Sequence, residues 1–244
     1  MKDSYMRPLL ETFPIRTYQW NGKPIYYRAH STDAVNIYKI LLNRGKKGEY
    51  YLPQGLNPEI ILDIGANTGV ASIYFANQYP SAKIFAFEPV PDNFTLLRKN
   101  IEGYGSIRAF PFALGKEDGK FQMQYSSTGH NLGGFSFYHL GVDENKKVEV
   151  ERKNIRSYLP EIGIKKVGLI KIDTEGAEYE ILTTLDPKML QEVEWIVGEL
   201  HGIRDFEILT YLSPFFNIQA KKSLKKRHFM FYAGNKKIMD KIQD

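Results

Sequence analysis

An acid beside two glycines marks a candidate ligand site early in the chain. Asp63 follows the apolar residues 60–62, and Gly65 and Gly69 lie in the short loop after it. Gly65 allows a sharp turn, and Gly69 is expected to let a ligand approach the next helix, because glycine has no Cβ. The loop lacks the third glycine of a dinucleotide fingerprint and the Lys-Ser/Thr of a P-loop. Since Asp63 would repel a phosphate and attract an amino group, the loop predicts a ligand with an amino-acid end.

A second acid, Glu88, ends the next apolar run, at residues 82–87. An acid at this place in an open α/β sheet binds the hydroxyl groups of a ribose. The sequence therefore predicts Glu88 as a ribose ligand.

A second concentration of polar side chains comes late in the chain. Asp173 ends an apolar run and Glu175 follows it, while Glu199 and His201 share one face of a later strand because they are two residues apart. His201 or Asp173 could remove a proton from a hydroxyl group. Asp173, Glu199 and His201 could instead hold a divalent metal, although three side chains are few for an oxygen-ligated ion, and no metal is predicted. The alternatives are a strand-end hydrogen bond for His201, and helix-dipole stabilisation of Glu175 and Glu178 in a first helical turn.

Buried parallel strands must position these residues. Five runs without polar alternation predict strands that are buried on both faces, and helices with apolar periodicity follow several of them. Two later runs predict an antiparallel pair. The predicted strands are residues 60–63, 82–88, 107–112, 167–173, 194–201, 216–220 and 228–233, and residues 121–125 and 148–150 predict two further short strands.

Three motifs in this order resemble the FkbM family of S-adenosylmethionine-dependent methyltransferases. They are Asp63–Gly69, Phe87–Pro89 and Ile170–Glu178, within a resemblance that runs from about residue 28 to about residue 201. The resemblance implies an α/β fold of the class I Rossmann-like type, with a seven-stranded, mostly parallel sheet, a C-terminal antiparallel hairpin and helices on both faces. It also implies methyl transfer from S-adenosylmethionine, with S-adenosylhomocysteine as product, to a hydroxyl on a small molecule or sugar.

The residues themselves nominate catalytic and acceptor groups. Catalytic roles are expected for Asp173 as a strand-end acid, for Glu175 as its neighbour and for His201 as a possible base, and Glu199 is expected to contact the acceptor. His130 and Asn131 lie in a glycine-rich loop at residues 126–142 and are expected to face the substrate. The expected cofactor ligands are Asp63, Gly65, Asn67, Gly69, Glu88, Pro89, Ala113 and Leu114.

The chain is expected to divide into two parts. Residues 56–244 form the methyltransferase domain, and residues 1–55 form an extension that is a partial lid over the ligand cleft or merely covers a sheet edge. The extension reads as irregular apart from a strand at residues 24–28 and a helix that Asp33 caps. Arg28, Asp33 and the Glu49–Tyr51 run match the family pattern. Residues 113–115 read as loop, and residues 236–244 as a charged tail.

Composition narrows the class of protein. The 244 residues contain no cysteine, which excludes disulfides, thiolate zinc sites and cysteine nucleophiles. The sequence has no apolar run of membrane-spanning length and no signal-peptide core, so a cytoplasmic protein without a membrane partner is expected. The net charge of +5 and the basic run at residues 221–227 leave open a nucleic-acid methyltransferase, but no recognition module supports it. A non-catalytic protein that binds the cofactor is the other alternative.

Overall fold

The computed structural model describes residues 13–43, 48–125, 135–136, 147–222 and 229–242. His130, Asn131 and residues 223–227 of the basic run lie outside this range. The strands are β1 (Ile15–Trp20), β2 (Lys23–Arg28), β3 (Ile60–Ile64), β4 (Lys83–Phe87), β5 (Ile107–Phe110), β6 (Ala113–Gly115), β7 (Gly119–Tyr125), β8 (Phe135–Ser136), β9 (Lys147–Asn154), β10 (Leu169–Ile172), β11 (Trp195–Leu200), β12 (Phe216–Lys222) and β13 (Phe229–Asn235).

Eight α-helices lie in the described part of the chain, and a π-helical turn at Tyr38–Leu42 extends the first of them. They are α1 (Asp33–Ile37), α2 (Val70–Gln78), α3 (Pro91–Asn100), α4 (Ile155–Glu161), α5 (Glu178–Thr184), α6 (Pro187–Glu192), α7 (Asp205–Leu212) and α8 (Lys236–Ile242). No helix among the described residues is long and apolar enough to cross a membrane.

The predicted seven-stranded sheet is confirmed. Its strand order is β12-β13-β11-β10-β3-β4-β5, with parallel pairing from β11 to β5 and β13 antiparallel to both of its neighbours. Leu62 and Ile64 pack into one apolar core, and Ile61 packs into the core on the opposite face. Helices cover both faces, which is why β3 lacks polar alternation.

A second sheet was predicted only in part. Its order is β6-β9-β7-β8, and β7 and β9 include the predicted short strands at residues 121–125 and 148–150. The interpretation of residues 113–115 as loop is wrong, because they form β6, which pairs in parallel with β9. A three-residue strand whose partner lies about forty residues later has too weak a pattern to recognise.

The two ends of the chain also differ from the prediction. Residues 15–28 form an antiparallel hairpin of β1 and β2, where only the second strand was expected. Asp33 does not cap its helix through its side chain: Thr32 occupies the N-cap position, and the Asp33 carboxylate bonds Arg28. Residues 236–242 form α8 rather than an irregular tail.

Candidate active site

A cavity of about 520 Å³ opens at the carboxyl ends of β3, β4, β10 and β11. In an open α/β sheet this is where ligands bind. Two predicted residues, Asp63 and Gly69, are not among the described residues that line it. The predicted residues that do line it are Gly65, Asn67, Glu88, Pro89, Ala113, Leu114, Asp173, Glu175, Glu199 and His201.

Gly65 and Gly69 each require glycine, but for different structural reasons. Gly65 has a φ of +79°, and a Cβ there would collide with the Asp173 carbonyl oxygen. Gly69 also has a positive φ, of +83°, but a Cβ there would lie 3.3 Å from Cγ of Leu97 in α3. Helix α3 fills the space beside Gly69, so this glycine permits helix packing rather than the ligand approach that was predicted.

Asp63 is fully buried behind the cavity. Its Oδ1 lies 3.1 Å from Nζ of Lys171, and its Oδ2 accepts a 2.6 Å hydrogen bond from Ser72. Lys171 in turn donates a 2.5 Å hydrogen bond to the carbonyl of Gly65. Burial lowers the pKa of Lys171, but Asp63 and Asp173 outweigh it and leave that pKa raised. The cation that Asp63 pairs with is thus Lys171, and the pair holds the glycine turn.

Glu88 fastens the glycine loop to the end of β4. Its Oε2 accepts a 2.8 Å hydrogen bond from the backbone N–H of Asn67, and its Oε1 accepts one of 2.9 Å from the N–H of Val90. The Asn93 amide adds a weaker bond of 3.4 Å to Oε1. Burial raises the pKa of Glu88, although these three bonds work against the shift. The Glu88 carboxylate therefore faces the cavity in a fixed orientation.

The late polar residues meet at the neighbouring ends of β10 and β11. Nε2 of His201 lies 3.6 Å from Oδ1 of Asp173, 3.6 Å from Oε2 of Glu175 and 3.9 Å from Oε2 of Glu199. One ligand atom from each of Asp173, Glu199 and His201 lies within 4.8 Å of the other two. The strand-end positions therefore bring together the residues that were nominated for proton transfer or a metal.

Glu178 also belongs to this cluster, and its contact with His201 was not predicted from the sequence. Its Oε1 lies 3.1 Å from Nδ1 of His201 and accepts hydrogen bonds from the N–H and hydroxyl of Thr174. Glu175 is not in a first helical turn as expected: it has a φ of +56° and precedes α5, which begins at Glu178. Helix-dipole stabilisation therefore does not account for Glu175, and for Glu178 it is only part of the account.

The protonation states follow from this crowding. Burial lowers the pKa of His201, but the hydrogen bond and charge of Glu178, with Asp173 and Glu175, raise it to about 10. Burial, reinforced by Asp173 and Glu199, raises the pKa of Glu175 to about 8 in spite of His201. With its pKa raised, His201 is protonated at neutral pH, so the neighbouring carboxylates are better suited than His201 to accept a proton.

Residues of the N-terminal region line the same cavity, which sequence reasoning did not assign residue by residue. Asn36 and Lys39 contribute from α1 and the π-helical turn, and Glu49 and Tyr50 from the segment before β3. Lys39 and Glu49 form an ion pair of 3.2 Å. Burial, with the nearby carboxylates of Asp173 and Glu49, raises the pKa of the Tyr50 hydroxyl, so this hydroxyl stays protonated.

The chain is similar to several known methyltransferases. A methyltransferase of Beauveria bassiana (strain ARSEF 2860) is 29% identical over 161 residues, which are 57% of this chain and 64% of that protein. Methyltransferase sdnD of Sordaria araneosa is 30% identical over 207 residues, 71% of this chain and 77% of that protein. The 31-O-demethyl-FK506 methyltransferase FkbM of Streptomyces tacrolimicus is 25% identical over 183 residues, 63% of this chain and 70% of that protein.

A match to a whole protein family adds to these single likenesses. The methyltransferase FkbM domain matches residues 63–222, well over half of the 244 residues. This range includes all three motifs of the sequence analysis. The chain therefore belongs to the FkbM family of methyltransferases.

Proposed function

We propose that this methyltransferase uses S-adenosylmethionine and methylates a hydroxyl oxygen of a small molecule or sugar. The observation that supports it most is that one cavity joins the glycine turn and Glu88 to the carboxylates of Asp173, Glu175 and Glu199. The Streptomyces relative is named for a substrate that lacks a methyl group on an oxygen, 31-O-demethyl-FK506, which supports an oxygen acceptor.

The residues present fit the cofactor. Asn67 lines the cavity, and its buried Oδ1 has no hydrogen-bond partner within the described part of the chain, so it can accept a bond from an amino group. The Glu88 oxygens each accept one short backbone bond and keep further lone pairs for ribose hydroxyls. Ala113 and Leu114 provide an apolar wall where an adenine would lie. Asp63 acts indirectly, because its ion pair with Lys171 fixes the carbonyl of Gly65.

In this proposal the carboxylates near His201 remove the proton of the acceptor. When bound, S-adenosylmethionine supplies a methyl group on a sulfonium sulfur, so the protein must mainly align the acceptor and take its proton. Glu175 is the proposed base, because a pKa of about 8 lies close to the working pH. Asp173 is the alternative base, because its carboxylate lies 3.6 Å from Nε2 of His201, the same distance as that of Glu175. Glu199 lines the same cavity and is assigned to a bond with the acceptor. His201 holds these carboxylates through its positive charge.

The N-terminal region contributes a partial lid in this proposal. Thr32, Val35 and Asn36 line the cavity from α1 and the residue before it, and Tyr50 lines it from the segment that leads to β3. The described part of residues 1–55 therefore acts as part of the site, and residues 56–244 are the domain that carries it.

Calorimetric titration with S-adenosylhomocysteine tests the cofactor assignment, with Glu88→Ala as the variant and Glu102→Ala as its control. Glu102 is an exposed glutamate just after α3 and lies outside the cavity lining. We expect micromolar binding by the wild type, a loss of tenfold or more in Glu88→Ala and no change in Glu102→Ala. A folded wild type that does not bind would refute the proposal.

A turnover assay tests whether the protein is catalytic and which class of acceptor it methylates. Release of S-adenosylhomocysteine from S-adenosylmethionine is measured across a panel of hydroxylated acceptors and matched amines. Hydroxyl-dependent turnover supports an O-methyltransferase. Binding without turnover on any acceptor would favour the non-catalytic alternative, and RNA-dependent turnover would favour the nucleic-acid alternative.

A further inference from the structure

A chain of buried hydrogen bonds runs from the N-terminal hairpin to Glu88. Arg28 is the last residue of β2 and is fully buried. Its Nε and Nη2 donate bonds of 2.8 and 3.0 Å to the two carboxylate oxygens of Asp33. Its Nη1 donates a 2.8 Å bond to Oδ1 of Asn93 in α3, and Nδ2 of Asn93 lies 3.4 Å from Oε1 of Glu88.

The Asp33 carboxylate compensates the charge of the buried Arg28 guanidinium. A buried guanidinium must be paired, and the two-pronged bond to Asp33 provides a strong and directional partner. The backbone N–H of Arg28 also donates a 2.9 Å bond to Oδ2 of Asp33. Arginine offers five N–H donors in a rigid plane, so the guanidinium can hold Asp33 and still direct one N–H at Asn93.

This arrangement decides which end of the Asn93 amide faces Glu88. An amide has a donor end and an acceptor end, and the Arg28 guanidinium bonds only the acceptor end, Oδ1. The Nδ2 end must then point to the Glu88 carboxylate. With the amide reversed, two oxygens would face each other and two donors would face each other, so the reversed state is disfavoured.

We propose that Arg28 and Asn93 are positioning residues of the cofactor site, which act through the Glu88 carboxylate. The inference rests on the proposed function, because it takes Glu88 as a ligand of the cofactor. It extends the site beyond the matched family domain at residues 63–222, since Arg28 and Asp33 precede that range. The N-terminal hairpin is then part of the binding apparatus rather than a cover for the sheet edge.

The test is a double-mutant cycle on the affinity for S-adenosylhomocysteine. Asn93→Ala is measured by calorimetry in the wild-type background and in a Glu88→Ala background. If Asn93 acts through Glu88, we expect about a tenfold loss in the wild-type background and less than a twofold further loss in Glu88→Ala. Equal losses in the two backgrounds would overturn the proposal, because a purely structural role does not need Glu88.

Asn100→Ala is the matched comparator. Asn100 is a buried asparagine of the same helix that bonds the backbone N–H and carbonyl of Tyr26 in the same hairpin and the carbonyl of Thr68, and none of these described hydrogen bonds reaches Glu88. Its effect on affinity should be the same in both backgrounds. An equal loss in both backgrounds would show that the affinity of Glu88→Ala for S-adenosylhomocysteine can still fall when the structure is perturbed.

Arg28→Lys tests the first link. A lysine keeps the charge that Asp33 requires, but it cannot replace the fork that reaches both Asp33 and Asn93. We expect it to reduce the affinity by roughly three- to tenfold in the wild-type background and to leave the affinity of Asn93→Ala unchanged. An additive loss in Asn93→Ala would overturn the link. A wild type that binds no S-adenosylhomocysteine would instead refute the proposed function, so the two failures are distinguishable.

Discussion

The ion pair between Glu178 and His201 offers the sharpest test of the electrostatics of the site. Glu178→Gln keeps the shape and one oxygen, which can still accept the bonds of Thr174, but removes the charge beneath the imidazole. Glu178 contributes the two largest effects that raise the pKa of His201 to about 10. Loss of a neighbouring charge shifts a pKa by roughly one to three units, so the pKa of His201 should fall to roughly 7–9.

The cost to stability should depend on pH. Because the pKa of His201 is raised above 6.5 in the folded state, its stabilisation is complete below about pH 6.5 and is lost as the pH rises toward 10. A hydrogen bond to a charged group contributes about 2 kcal/mol, so Glu178→Gln should lower the unfolding free energy by about that amount at pH 6. The difference from wild type should shrink steadily between pH 7 and pH 10.

Glu180→Gln is the matched control on the same helix. Glu180 pairs with Arg152 at 3.1 Å, and an arginine keeps its charge over this whole range. Its cost should therefore be nearly constant from pH 6 to pH 10. Urea unfolding at several pH values gives both curves, and NMR titration of the imidazole gives the pKa directly. A Glu178→Gln cost that does not vary with pH, with an unshifted His201 titration, would refute the reasoning.

Three further predictions concern the rest of the cavity. Turnover should rise with pH through about 8 as Glu175 loses its proton, and Glu175→Gln should abolish that limb of the kcat/KM profile; an unchanged limb would leave Asp173 as the base. Gly65→Ala should prevent folding or cofactor binding, whereas Gly163→Ala, with a similar φ of +83° and open space around it, should cost only about 1 kcal/mol in thermal unfolding. Chelator should leave turnover unchanged at pH 7, and manganese should not raise the melting temperature, because a metal would first have to displace the proton of His201; loss of activity in chelator would reverse this expectation.

The parts of the site that follow from strand order could be predicted from the sequence. Asp173 and Glu199 meet because they end neighbouring parallel strands, and apolar runs locate such strands well. Glu88 was placed at the cavity for the same reason. The sheet and its C-terminal hairpin were predicted because each strand carries its own apolar signal.

The pairing of buried charges could not be predicted in the same way. Lys171 and Asp63 are register partners on adjacent strands, and register is a property of two strands rather than of either sequence. A lysine inside an apolar strand does signal that a buried partner exists, which is the signal that was missed. Glu175 was misjudged because α5 begins only at Glu178, after the left-handed turn at Glu175. Glu178 does lie in the first helical turn, but its contact with His201 depends on how α5 packs against the end of β11, which neither segment shows alone.

The two halves of the site meet at a close backbone contact between Gly65 and Asp173. The Gly65 Cα packs so closely on the Asp173 carbonyl that no side chain fits between them. The Lys171 ammonium donates a hydrogen bond to the Gly65 carbonyl. Asp173 also raises the pKa of both Lys171 and His201, so its carboxylate lies within the field of two buried cations. A shift of the glycine turn would therefore move the backbone that carries Asp173 and Glu175. The glycine turn and the proposed base are thus held together, which suits a reaction whose main requirement is alignment.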